Sequence, residues 1–499
     1  MFTRVVTAPL SIHLGIVPPL YSLIQQLSSL TKPVSHPGLD SGADIDTRNT
    51  LHETALIMAA GRGHSAVVEL LLARGADSGA SDYYGDTALT KAAGGGHLET
   101  AQILLRNVAP IDSQGAEVLT PLIKAAHSGH LDMVKLLLDC GAEKETIRGG
   151  HGTPLIEAAA EGHVQVMDLL LSRGSDIEAQ HRLNGTALGS AAYFGELAAM
   201  QLLIDRGAEV NMKNAFGKTA LICAAMQKQP DVVDLLLQNK AEVDAVDEGG
   251  CTALLEAAKN GDLDIVYALL SKGADPNRKS NSGSIAIIEA LMVAGASGLE
   301  VGSQLVRRRT AAVCLLDHGA DVNLYGRFCH RGLGDLDAPP LIHVASNGWD
   351  WAVQLLLERG AGCNLRAVAI QSEPEPEPEL EIRPQPVTNP KQKRWKSSSL
   401  WKHRKRQVSI QIQEIGLPPT IQREPAVNCT EAGSAIVYAS RGGHTSTVRL
   451  LLSYGADASI TDDKGQTALA WACKEGFKEI EELVLEHEAS WEALSKGPS

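Results

Sequence analysis

The chain has 499 residues and a formal net charge of −14, with 44% apolar but only 4% aromatic residues. A chain this long ordinarily divides into several cored domains, and an acidic balance of this size excludes general nucleic-acid binding by the whole surface. Scarce aromatics beside abundant Ala, Leu and Gly favour closely packed helices over a sandwich or barrel.

Residues 1–44 are expected to form a disordered leader or a degenerate cap. Residues 1–39 contain no Asp or Glu, and 5–27 are fairly apolar. A signal peptide is a competing reading, but Pro9, His13, Pro18 and Pro19 interrupt the apolar run. A mitochondrial-type presequence is another, but Arg4 is its lone arginine. No stretch has the length of a clean transmembrane helix.

From Thr54 a pattern recurs every 33 residues, at Thr87, Thr120, Thr153, Thr186, Thr219 and Thr252. Each copy opens with a run such as TALIMAA or TPLIKAA and closes with one such as ELLLARGAD or KLLLDCGAE. A Thr before an apolar run is a helix N-cap, its hydroxyl accepting from first-turn amides. The Leu and Ala-Ala positions form one apolar helix face, and Gly ends the helix. A second amphipathic helix follows, then a turning return segment. Such a unit cannot bury its own apolar face and must stack on neighbours.

Period, element order and motif resemble the ankyrin repeat. The fold this implies is an all-α repeat, a solenoid of helix-turn-helix units with short hairpin-like turns. The Pro of the family's T-P-L-H is kept in only some copies, and its His is replaced mainly by Ile. About eleven repeats are predicted. Nine span residues 45–364, the eighth carrying an insertion near 296–309 and the ninth starting at Pro339 after a long return loop, Leu324 to Ala338. The last two span 431–490, starting at Ser434 and Thr467, with a tail at 491–499.

Residues 365–430 break the array and are expected to be disordered. Glu and Pro alternate from Glu373 to Glu379, which favours an extended spacer. KQKRWKSSSLWKHRKR, residues 391–406, then carries eight Lys or Arg and no acid. Closing a loop of about 60 residues costs on the order of 3–4 kcal/mol plus a constant. One apolar repeat interface offsets that, so repeats ten and eleven are expected to dock on repeat nine.

The eight cysteines are scattered without a C-x-x-C pair, which reads as a reducing compartment, cytoplasmic or nuclear. His64, His97, His130, His163 and His444 recur after Gly at the start of helix two. They stand one repeat apart, too far to share a zinc ion, and turn and helix-start hydrogen bonding fits them better. Carboxylates such as Glu157 and Glu256 repeat at helix positions and read as a solvated face or local pairing rather than an acid/base pair. No phosphate-loop glycines, nucleophile elbow or His-Glu-x-x-His occur, so no enzymatic activity, cofactor or metal is expected.

The basic block has several readings. Lys391, Lys393 and Arg394, followed by Lys402, Arg404, Lys405 and Arg406, look like a nuclear-import signal. Ser397, three residues after Arg394, suits basophilic phosphorylation. Trp395, Leu400 and Trp401 among lysines suit an anionic surface or a partner groove. A plain solvated linker is the alternative.

The ankyrin resemblance implies protein partners, bound along a concave face by turn tips and the exposed ends of first helices. Those positions hold Tyr83, Tyr84, Arg182, Tyr193, Phe194, Phe216, Met226, Gln227 and Lys259. Tyr193, Phe194, Phe216 and Met226 are expected to form one apolar cluster over repeats five and six, and interface centres favour such residues. A scaffold or adaptor follows, with a nuclear regulator or the targeting subunit of an enzyme complex as alternatives.

Overall fold

A computed structural model describes residues 44–112, 119–147, 150–182, 185–296, 303–330, 334–369 and 430–495. The leader at 1–43 and most of the insertion, residues 370–429 with the basic block 391–406 and Ser397, lie outside these.

Twenty-two helices among the described residues form eleven successive pairs, from Ala55–Gly61 with Ser65–Ala73 to Ala468–Glu475 with Lys478–Ser495. Thr54, Thr87, Thr120, Thr153, Thr186, Thr219, Thr252 and Thr467 cap the first helix of their pair, each accepting the amide three residues on. The leucine and paired alanines that follow, Leu89, Ala92 and Ala93 for example, are wholly buried. Side chains this small let successive first helices approach closely, and those helices pack on one another along the array.

Two further rows stitch neighbouring repeats. The recurring histidine donates through Nε2 to a carbonyl one repeat back: His97 to Gly61 at 3.2 Å, His130 to Gly94 at 3.1 Å and His163 to His127 at 3.0 Å. On the opposite edge an Asp, Glu or Asn accepts the backbone amide of the next return segment, as in Glu209 to Glu178 at 2.7 Å and Glu242 to Asn211 at 2.8 Å.

The expected boundaries shift in three places. In the eighth pair, helix Ser303–Asp317 runs 15 residues, so the inserted stretch near 296–309 is partly a helical extension. Arg307 of that extension pairs with Asp264, and Arg309 lies over Trp351 at 4.7 Å. The return loop before repeat nine is a hairpin, β1 (Gly326–His330) against β2 (Gly334–Ala338). The break expected at 365–430 begins and ends in paired backbone. Strand β3 (Arg366–Ala369) lies between β2 and β4 (Thr430–Ser434), giving the antiparallel order β1-β2-β3-β4. The hairpin strand β2 supplies the edge on which β3, the start of the insertion, pairs, and β3 in turn supplies the edge for β4, where the insertion returns. At the C-terminus, the last helix reaches Ser495, inside the expected tail.

The first helix of repeat ten, Ala435–Arg441, packs on that of repeat nine, Pro340–Ser346. The histidine stitch spans the insertion, with His444 Nε2 3.2 Å from the Ser346 carbonyl. Buried His343 lies under the hairpin, its Nε2 3.3 Å from the Ala338 carbonyl.

Candidate protein-binding surface

The fifth residue of each first helix, counted from its cap, stands one turn inside the helix beside the return turns. Successive repeats place Lys91, Lys124, Glu157, Ser190, Cys223, Glu256 and Glu289 there. The charge along this row changes sign by segment.

The basic segment is internally neutralised. Lys91 Nζ lies 2.8 Å from Asp82 and 3.0 Å from Asp86, both buried in the preceding turn. Burial alone would lower the Lys91 ammonium, but hydrogen bonds to the two carboxylates outweigh it and raise its pKa. Lys124 reaches Asp86 at 4.0 Å.

In repeat four, Glu157 sits between His127 and His151, with Nδ1 distances of 3.2 and 3.1 Å, and also accepts the Gly152 amide at 2.9 Å. Nearby His181 is buried, and desolvation lowers its pKa. Next comes a neutral stretch. Ser190 is buried, as is Cys223, whose thiol burial pushes up to about 11. Glu256 and Glu289 follow in repeats seven and eight. Both are half-buried, and neither carboxylate has a hydrogen-bond or ion-pair partner among the described residues.

The residues singled out from sequence occupy this face in separate groups. Tyr193 and Phe194 stack edge to face at 5.1 Å at the end of helix Ala187–Phe194, where Phe194 is 47% exposed. Met226 is half-buried, and Lys218 Nζ lies 3.1 Å from its sulfur. Half-buried Gln227 caps the same helix, while Arg182 and Lys259 are exposed.

Phe216 stands apart. It is 43% exposed in a turn, its amide held by Asn214 Oδ1, and among the described residues no ring contact joins it to Tyr193 or Phe194. The expected single cluster is therefore two. Phe194 closes the eight-residue helix Ala187–Phe194, whereas Phe216 lies in the turn that leads into the start of the neighbouring helix Ala220–Met226, so about 10 Å of helical rise separates them. A second aromatic group occupies the first return turn. Tyr83 and Tyr84 pack edge to face at 5.5 Å, 72% and 67% exposed. His52 lies 6.2 Å from Tyr83. Its role was missed from sequence, because it sits in the preceding repeat with no motif marking it.

The family model for ankyrin repeats (3 copies) matches residues 34–114, 109–181, 188–280 and 417–494. The chain belongs to the ankyrin-repeat family. Its repeats make it a protein-interaction scaffold in general terms, a fold that is typically non-catalytic. It is similar to the crystal structure of the human ASB11 ankyrin repeat domain at 28% identity, over 45% of this chain and 100% of that one, with a TM-score of 0.41. No curated protein matches the chain. No helix among the described residues is long and apolar enough to cross a membrane.

Proposed function

We propose that the chain is a non-catalytic adaptor that holds a protein segment against the turn tips and first helices of repeats four to eight. The observation carrying this reading is the exposure of Phe194 and Phe216 in a chain with only five phenylalanines. Exposed aromatics of this kind anchor interfaces when a partner desolvates them. They lie beside the neutral stretch of Ser190 and Cys223, and further along the same row Glu256 and Glu289 have carboxylates with no hydrogen-bond or ion-pair partner among the described residues.

Affinity capture with mass spectrometry tests this, comparing the wild-type chain with the Phe194→Ala/Phe216→Ala variant. Loss of specific captured proteins by a variant that keeps the wild-type helical content supports the site. An unchanged captured set rules it out.

A second reading rests on the eight Lys or Arg of residues 391–406, which would direct the adaptor to the nucleus. Deleting that segment and following the distribution between cytoplasm and nucleus tests it.

A further inference from the structure

The carboxylates of Glu256 and Glu289 in repeats seven and eight have no hydrogen-bond or ion-pair partner among the described residues, and the chain carries a segment of complementary charge. We infer that residues 391–406 dock in cis on this part of the face, against Glu248, Glu256 and Glu289, with their tryptophans over Phe216 and Met226. The inference rests on the reading of the face as a peptide-binding surface, and it adds a competitor for that surface.

The receiving side is acidic and incomplete. Glu256 and Glu289 stand at equivalent positions on adjacent packed helices, half-buried and without partners among the described residues. A half-buried carboxylate lacking an internal counter-charge favours an incoming cation more than a fully solvated one does. Glu248 is exposed in the turn above, and its amide donates to the Phe216 carbonyl at 3.0 Å, which places acid and aromatic side by side. Lys218 and Lys259 share the region and reduce its net negative charge without pairing with Glu256 or Glu289.

The complementary segment is written in the sequence. KQKR, Trp395, Lys396, three serines, Leu400, Trp401 and KHRKR place cations on both sides of an apolar centre, without an acid. Position favours the encounter. The insertion leaves from β3 and returns through β4, in the same sheet as β1. That sheet continues the row of turns, since the Arg327 amide donates to the Gly283 carbonyl at 2.9 Å and the Asn281 amide to Gly249 at 2.8 Å. Repeats eight and seven lie one and two units from repeat nine, up to roughly 20 Å at 8–10 Å per packed helix. The tether of residues 370–390 can span about 70 Å when extended. Tethering also gives a local concentration in the millimolar range that no free competitor easily matches.

Zero-length carbodiimide cross-linking of the full chain, read by mass spectrometry on a mixture of isotopically light and heavy protein, tests the contact. Links within one chain from Glu248, Glu256 or Glu289 to Lys391, Lys393, Lys396, Lys402 or Lys405 are expected. Their yield should fall about tenfold at an ionic strength of about 1 M, where the Debye length is about 3 Å. It should fall similarly in the variant Arg394→Glu/Arg404→Glu/Arg406→Glu, which keeps every linkable lysine and changes no residue of the helical repeats. Absent links, links only between chains, or links indifferent to salt and charge reversal overturn the inference. If protein capture still depends on Phe194 and Phe216 while links are absent, the proposed function stands and cis docking alone fails. Links without such capture have the opposite meaning.

Discussion

The backbone amide of Asp457 donates to Asn364 Oδ1 at 2.8 Å across 93 positions of sequence. Elsewhere the same stitch joins residues 31 positions apart, as Asp275 to Asp244 at 3.1 Å. The solenoid thus resumes across the insertion with its ordinary bonding. Thr447 Oγ1 adds a 2.5 Å bond to Asp350. Asn364→Ala should remove one inter-repeat hydrogen bond, worth about 1 kcal/mol. Amide exchange in residues 435–484 should then accelerate more than in residues 55–270. A uniform change along the chain would contradict local stitching.

Val108 has φ 60° and is 86% exposed. It ends a second helix where other repeats place Gly75, Gly141, Gly174 and Gly207, all at positive φ. A β-branched residue in this region costs about 1–2 kcal/mol, while glycine's extra chain entropy costs about 0.5–1 kcal/mol. Val108→Gly should therefore raise stability by up to about 1 kcal/mol, seen as a higher urea midpoint with an unchanged slope. A lower midpoint would show that the valine contributes packing the exposure figure does not reveal.

His343 governs a pH dependence. Burial lowers its pKa from 6.5 to about 4, against the opposing effect of the Gly326 and Ala338 carbonyls. The native imidazole stays neutral between these values while the unfolded chain takes up a proton. Stability is therefore full above pH 6.5, falls by about 3 kcal/mol as pH drops towards 4, and levels off below. His181, also lowered by burial, acts in the same direction. Urea unfolding of wild type and His343→Gln at pH 7, 5.5 and 4.5 isolates the His343 share. The variant should lose most of the acid slope, and equal slopes would place the dependence elsewhere.

The repeat was legible because its signals are local. Thr54 and its equivalents cap the amide three residues away, and the glycines take positive φ within the same turn. The sheet was not legible. Gly334–Ala338 reads GDLDA and Thr430–Ser434 reads TEAGS, neither rich in the β-branched and aromatic residues that favour strands. They pair because each finds a neighbouring strand edge, β2 in the hairpin and β4 on β3, a tertiary cause that composition does not carry. The surface was half legible. Sequence placed Phe194 and Phe216 at exposed positions, but their separation depends on the length of a helix between turn and loop. Nor does spacing reveal that Lys91 is neutralised by Asp82 and Asp86 while Glu256 has no such partner.

Because Phe194 and Phe216 share no ring contact, their contributions to partner binding should be independent. Phe216→Ala, without a ring partner, should alter folding stability by less than about 0.5 kcal/mol, while Phe194→Ala also removes the edge-to-face contact with Tyr193 and should cost about 0.5–1.5 kcal/mol. A segment spanning both should lose about 1 kcal/mol or more per substitution, roughly fivefold or more in Kd. The double variant should lose the sum within about 0.5 kcal/mol, as distant sites do. Tyr83→Ala, in the aromatic group of the first return turn, should leave that affinity unchanged. Calorimetric titration of the four variants with a captured partner decides the matter. A coupling energy well above that margin would mean that one partner side chain, or a shift of the helix end, joins the two rings.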